Sequence, residues 1–399
     1  MAGSSFLAGK KILITGGTGH LGSALIHHLV HGLGHNPSAI RVFYLAGTPT
    51  QSLRDITGLD FRPGNVLSFE DVLRAAGGAD YVFHLAGSTT FDPRLKALQW
   101  RVNVEGTRHV LEACRRSSSV RRLCFTSTVD VLGVPDPAGS IGNFENSDPY
   151  KNQPRLHSFQ SPAEILDFAT EVRLGRLRGW EKRVRFGYFD SKLAAQELVL
   201  QYAREFGLDV VSALPGTVFG PYDFLIGNGI YLVRIFRRRM PGVLKGGISA
   251  LHVMDAVEGH LLVMEKARPG SRYIFTGAKE DHLSLSQMTT IIADVLKRRF
   301  SQKKIRSPAL VFPVWAANIA AYISETLAGA AHRPCALSRA AVRAGSMPLY
   351  YTYEDAARDL GYKPKRTFLQ AIEEMVTYYQ AENLFEAKGR FLDGVALKS

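Results

Sequence analysis

Short apolar runs along this chain alternate with stretches in which apolar residues return every third or fourth position. The first run, Ile12-Leu13-Ile14, leads into Thr15-Gly16-Gly17-Thr18-Gly19-His20-Leu21-Gly22, and beyond it Leu21, Leu25, Ile26 and Leu29 share one helical face. The spacing predicts a buried strand, a glycine turn and a helix. Residues 41–45, 59–62, 81–87, 122–127 and 208–214 read as further strands with helical stretches between them. Strands alternating with helices require right-handed crossovers, so the expected class is α/β, a doubly wound and mostly parallel sheet with helices on both faces.

The alternation fails twice. Over 136–187 the chain turns to Pro, Asn, Ser, Arg and Gly, with one short helix expected over 162–177, and this reads as an insertion or lid within a first domain spanning 8–215. After Pro215, glycines at 216, 220, 227, 229 and 242 mark loops. A smaller C-terminal lobe, mainly substrate-binding, is expected over 216–385, with 251–266 returning to the sheet and helices over 285–299 and 367–379. Residues 307–324 carry no charge, but Pro308, Pro313 and Asn318 argue against a membrane-spanning helix. From Val314, Trp315, Ile319, Ile323 and Leu327 recur every fourth residue. Such a stripe either closes the substrate pocket or lies in a membrane interface, where Arg298, Arg299, Lys303, Lys304 and Arg306 would meet anionic lipid.

A chain of 399 residues that is 46% hydrophobic can bury a large core, which excludes disorder. Cys114, Cys124 and Cys335 are too scattered for a disulfide framework or a zinc site, so a reducing compartment is expected. Residues 1–9 lack the features of a secretory signal, and a cytoplasmic location follows, with peripheral membrane contact as a further expectation. The net charge of +13 clusters locally, in 173–185 and 234–239, without a zinc finger or an aromatic-basic module; no nucleic acid partner is expected. His27, His28, His31 and His35 belong to a helix that must cover the sheet, and no metal site is read from them.

In such a sheet ligands bind beyond the carboxyl ends of the strands, at the switch point beside the first. Gly16 allows the tight turn there, Gly19 lets backbone approach a pyrophosphate, and Gly22 lets the helix pack closely on the sheet. Phosphates would sit on the helix N-terminus, among Gly16, Thr18, Gly19, His20, Leu21 and Gly22. The ends of the fourth and fifth strands add Gly87-Ser88-Thr89 and Ser127-Thr128. Tyr188 and Lys192, four residues apart, share a helix face, and the ammonium is expected to lower the phenol toward working pH.

The ordered set Thr15-Gly16-x-x-Gly19-x-x-Gly22, His84-Leu85-Ala86-Gly87, Asn103-Val104-Glu105-Gly106-Thr107, Ser127-Thr128 and Tyr188-x-x-x-Lys192 resembles the extended short-chain dehydrogenase/reductases. Leu214-Pro215-Gly216, His252-Val253-Met254-Asp255 and Asp359-Leu360-Gly361-Tyr362 extend the likeness, and 306–348 looks most like the 3β-hydroxysteroid dehydrogenase/isomerase branch. The resemblance implies a Rossmann-type domain and a nicotinamide cofactor. It implies Tyr188 as acid or base, Lys192 tuning it, Thr128 (with Ser127 as its substitute) bonding the reacting oxygen, and Asn103 ordering the active-site helix. Cofactor contacts carried over are Asn65, Val66, Leu85, Ala86, Gly87, Tyr188, Lys192, Pro215 and Val218. Residues 44–48 contain no carboxylate, so NADP is expected ahead of NAD, with Thr48, Thr50, Ser52 and Arg54 as candidates for a 2′-phosphate.

The implied activity is oxidation or reduction between a secondary alcohol and a ketone on a small hydrophobic, steroid-like substrate, an expectation drawn also from the apolar Ile226, Ile230, Leu232, Val233 and Phe236. The arginines and lysines at 173–185 would suit an anionic substrate handle. Two other functions share the cofactor half: a nucleotide-sugar epimerase or dehydratase, and a catalytically silent cofactor-binding sensor. Asp130 is expected to point away from Thr128, which counts against a dehydratase. A homodimer is compatible with the resemblance.

Overall fold

The computed structural model describes residues 5–132, 187–333 and 335–386. Of the insertion expected over 136–187 only Gly187 is among them; the helix over 162–177 and the basic cluster at 173–185 lie outside the described residues.

Seven parallel strands form the main sheet: β1 (Ile12–Thr15), β2 (Ile40–Tyr44), β3 (Asp60–Pro63), β4 (Tyr81–His84), β5 (Arg122–Thr126), β6 (Val210–Pro215) and, later in the chain, β10 (Arg272–Phe275). Their spatial order is β10-β6-β5-β4-β1-β2-β3, so the winding reverses between β1 and β4. This is the switch point, where two crossovers leave in opposite directions and open a crevice. Every residue of β1 is buried because helices cover both faces. On one face α1 (His20–His27) and α7 (Val253–Lys266) close a core around Ile12, Ile14, Leu25 and Val257. On the other, α2 (Phe69–Ala76), α4 (Gly106–Arg116) and α5 (Gly187–Phe206) pack over Leu13, Val82, Leu123 and Leu198, with the short α3 (Lys96–Trp100) against α5.

β10 is the strand that the apolar pattern does not reveal. It begins with Arg272, follows Pro269-Gly270 and lies at the sheet edge, where three of its four residues stay partly accessible. Helix α11 (Glu354–Leu360) and Tyr362, whose ring meets Phe275 edge-on at 4.8 Å, also belong to this half. The chain thus leaves the main sheet after β6 and returns to it twice.

The lobe between these returns has its own sheet. Strands β7 (Thr217–Phe219), β11 (His282–Ser284) and β13 (Pro348–Leu349) each pair with β9 (Gly247–His252). A two-stranded ribbon joins β8 (Gly242–Val243) to β12 (Leu310–Val311). Helices α6 (Ile230–Phe236), α8 (Leu285–Arg299) and α12 (Phe368–Ala381) enclose Phe219, Ile292 and Met375. Ile226, Leu232, Val233 and Phe236 are consumed in this core, so they do not bear on the substrate as their apolar character suggested. Helix α9 (Val314–Ala330) forms as expected and packs on α10 (Arg339–Gly345). Among the described residues no helix is long and apolar enough to cross a membrane.

Candidate active site

The glycine turn lies at the carboxyl end of β1. Gly16 has φ of +70°, and a Cβ there would stand 2.7 Å from the Ala86 backbone nitrogen, so only glycine fits between the ends of β1 and β4. Helix α1 then starts at His20 with no side chain capping its free N–H groups. A cradle too tight for Cβ atoms, opening onto an uncapped helix N-terminus, fits the pyrophosphate of a dinucleotide. Thr18, Gly19, Leu21 and Gly22 belong to the same turn; the His20 ring nitrogen is already bonded to the Pro221 carbonyl at 3.0 Å.

At the end of β4, Ala86 N–H donates to Thr15 Oγ1 at 3.3 Å. That hydroxyl also meets His84 Nδ1 at 2.7 Å, while His84 Nε2 meets Thr107 Oγ1 at 3.1 Å. Burial pushes His84 down to about 3, so it is neutral and ties β1, β4 and α4 together. Leu85 and Gly87 flank Ala86 on this edge, and the Lys192 ammonium would lie 3.3 Å from a Cβ at Gly87.

Asn103 joins this edge to α5. Its Oδ1 accepts from Ser88 N–H at 2.8 Å, and its Nδ2 donates to the Ser88 carbonyl at 3.0 Å and to Ser191 Oγ at 2.8 Å. Ser191 in turn donates to the Tyr188 carbonyl at 2.8 Å. One amide therefore couples the β4 loop to the first turn of the helix bearing Tyr188 and Lys192.

Across the crevice, β5 ends in Thr126, and a short turn carries Thr128 and Asp130. Tyr188 is half-buried, and its phenol is close enough to Thr128 to sense that hydroxyl. Lys192 is buried beside them, donating to the Thr126 carbonyl at 3.0 Å and standing 5.1 Å from the centre of the Phe125 ring. Burial lowers Lys192 to about 8. The Tyr188 ring meets Phe91 and Phe189, and Phe189 packs in turn against Met347 and Leu349.

Three expectations are corrected. Asp130 does not point away: Thr128 Oγ1 donates to its Oδ2 at 2.8 Å, and burial raises the carboxyl to about 6. Tyr188 is not lowered; burial first and Asp130 second raise it well above its ordinary value, because the Lys192 ammonium is tied to a backbone carbonyl instead of the phenol. Arg54 is not free at the β2 edge; it forms a two-pronged ion pair with Glu382 at 2.7 and 2.9 Å.

Asp130 is the site residue that motif spacing missed. Its signal was an acid enclosed by Val129, Val131 and Leu132, where a carboxyl has no reason to be unless something in the interior holds it.

The other residues carried over lie in these surroundings. Asn65 uses Oδ1 to accept from Leu67 N–H at 3.0 Å, and the Val66 carbonyl bonds His109 at 2.9 Å. Pro215 ends β6, and the Val218 carbonyl accepts from Asn228 at 3.0 Å. Of His27, His28, His31 and His35, which follow one another along and beyond the first helix, His27 and His31 gather with Asp55, but the His27 Nε2 is held by the Ser52 carbonyl at 2.8 Å and no metal is assigned.

Residues 13–164 match the model of the 3-beta hydroxysteroid dehydrogenase/isomerase family, and residues 180–275 that of the NAD dependent epimerase/dehydratase family. The chain is 27% identical to dihydroflavonol 4-reductase of Zea mays, over 66% of this chain and 69% of that one. It is 24% identical to anthocyanidin reductase of Arabidopsis thaliana, over 66% and 75%. In fold it is similar to the dTDP-glucose 4,6-dehydratase DesIV of Streptomyces venezuelae, solved with NAD bound, with a TM-score of 0.65 at 18% identity over 94% of this chain and 98% of that one.

Proposed function

We propose that this chain, which belongs to the extended short-chain dehydrogenase/reductase family, interconverts a secondary alcohol and a ketone on a hydrophobic, ring-bearing substrate. The family makes it an NAD(P)-dependent reductase, dehydratase or epimerase. The observation that carries the finer reading is the proximity of the Tyr188 phenol to the buried Thr128, with the buried Lys192 beside them, between the ends of β4 and β5.

When bound, a nicotinamide supplies or takes up the hydride. Tyr188 holds the proton that the carbonyl oxygen receives in reduction and that the alcohol gives up in oxidation. Thr128 orients the same oxygen through its hydroxyl, and Asn103 fixes the helix turn from which Tyr188 projects. Gly16, Gly19 and the first turn of α1 hold the pyrophosphate, and Lys192 is the cation within reach of a ribose hydroxyl. NADP is favoured because β2 runs out into Tyr44-Leu45-Ala46 with no carboxylate to repel a 2′-phosphate.

The rings of Phe91 and Phe189 against Tyr188 support a hydrophobic substrate, and the flavonoid reductases among the relatives support a flavonoid-like skeleton ahead of a steroid-like one. The test is cofactor oxidation by the purified chain with NADPH and NADH against flavonoid, sterol and β-keto substrates. Turnover is expected in one of these classes; none in any of them overturns the reading.

A second reading, a nucleotide-sugar dehydratase or epimerase, is favoured by one observation: Asp130 places a carboxyl against Thr128, supplying a further acid or base beside the tyrosine. Tight calorimetric binding of a UDP- or dTDP-sugar would rank it first.

A further inference from the structure

Helix α9 is built inside out. Of the eleven large apolar side chains that stand exposed among the described residues, eight lie between Leu310 and Leu327. Trp315 is 69% exposed, Leu327 64%, Tyr322 59% and Ile319 55%. Two of its polar groups face the protein instead: Ser324 accepts from Leu337 N–H at 3.1 Å, and Glu325 pairs with Arg339 at 2.8 Å. A water-facing helix sorts its residues the opposite way, and β12 adds the exposed Leu310 and Val311.

The rim of this face is cationic. Lys303, Lys304 and Arg306 precede it, Arg333 follows it, and all four are exposed. The β8 strand that pairs with β12 is preceded by exposed Arg238 and Arg239. Over 303–333 the one acid is Glu325, which Arg339 neutralises. A second copy of the chain would bring one such cationic rim near another, whereas an anionic bilayer offers acyl chains for the apolar face and phosphate for the rim.

We propose that α9 and the β8–β12 ribbon form a docking surface for an anionic lipid bilayer, with the apolar face seated in the headgroup boundary. Trp315 and Tyr322 suit that depth, each having an apolar ring and one polar atom. The surface stands on exposure and charge alone and is independent of the catalytic reading.

The test is sedimentation of the full chain with vesicles of phosphatidylcholine alone or mixed with phosphatidylserine, at low and high salt. Wild-type protein is expected to pellet with the mixed vesicles at low salt and to be released at high salt. The double substitution Trp315→Glu, Ile323→Glu should lower partitioning by about tenfold or more while circular dichroism and cofactor binding stay unchanged. Protein that remains in the supernatant at low salt overturns the proposal, as does partitioning that the double substitution does not alter. Light scattering that shows a dimer dissolved by the same substitutions would make a second copy the occupant and would also overturn it.

Discussion

Thr128 donates its hydroxyl hydrogen to Asp130 at 2.8 Å and lies close to the Tyr188 phenol. One side chain thus links the phenol to a half-buried carboxyl. While Asp130 is ionised, the Thr128 hydrogen is committed to it. Once Asp130 is protonated, the carboxyl can donate instead, and Thr128 is free to polarise a carbonyl oxygen.

The reductive rate is therefore expected to fall as pH rises through about 6, the value to which burial lifts Asp130. Asp130→Asn should remove that inflection. The sign for stability is the same. A carboxyl raised in the folded state from its ordinary 3.8 opposes folding once ionised, a penalty absent below about 4 and complete above about 6. Asp130→Asn should accordingly raise the melting temperature at pH 8 and leave it little changed at pH 4. An unaltered pH–rate profile would show that Asp130 does not act through Thr128.

Tyr188→Phe deletes the transferable proton and little volume. Turnover is expected to drop ~100-fold or more, with cofactor binding by fluorescence nearly intact. A variant keeping a tenth of wild-type turnover would remove Tyr188 from the acid-base role.

Asn103→Ala cuts the link from Ser88 to Ser191 and leaves buried groups without their partner. A loss of about 1–3 kcal/mol is expected in denaturant unfolding. Turnover should fall as well, because the helix turn bearing Tyr188 loses its tether.

His84 and His260 are buried neutral, lowered to about 3 and about 4. A base with a depressed folded value contributes stability that is complete above its unfolded value of 6.5 and is lost as pH falls toward the folded value. The protein should thus lose stability steadily below pH 6.5, taking up protons on unfolding. His84→Gln should flatten that slope at the cost of stability at neutral pH, which thermal melts across the range will register.

Glu382→Gln releases Arg54 from its ion pair. The freed guanidinium should strengthen NADPH binding relative to NADH by a few-fold, read by titration. An unchanged ratio would place the 2′-phosphate contact elsewhere.

The glycine turn, the strands 12–15, 40–44, 81–84 and 122–126, and the four-residue interval from Tyr188 to Lys192 were legible because each depends on neighbours a few positions away. A buried strand must be apolar throughout, a turn against another strand must be glycine, and a helix brings every fourth residue to one face. Other features arise between residues far apart in the chain. Strand β10 is held at the sheet edge by β6 and by Phe275 packing on Tyr362, not by its own composition. Arg54 is claimed by Glu382 more than three hundred positions away. The direction of the Tyr188 shift depends on how deeply it is buried, on where Lys192 finds its carbonyl, and on Asp130 turning inward. Local spacing sets which residues can face the crevice; desolvation and partner choice, which set their charge and reach, exist only once the sheet has brought those distant segments together.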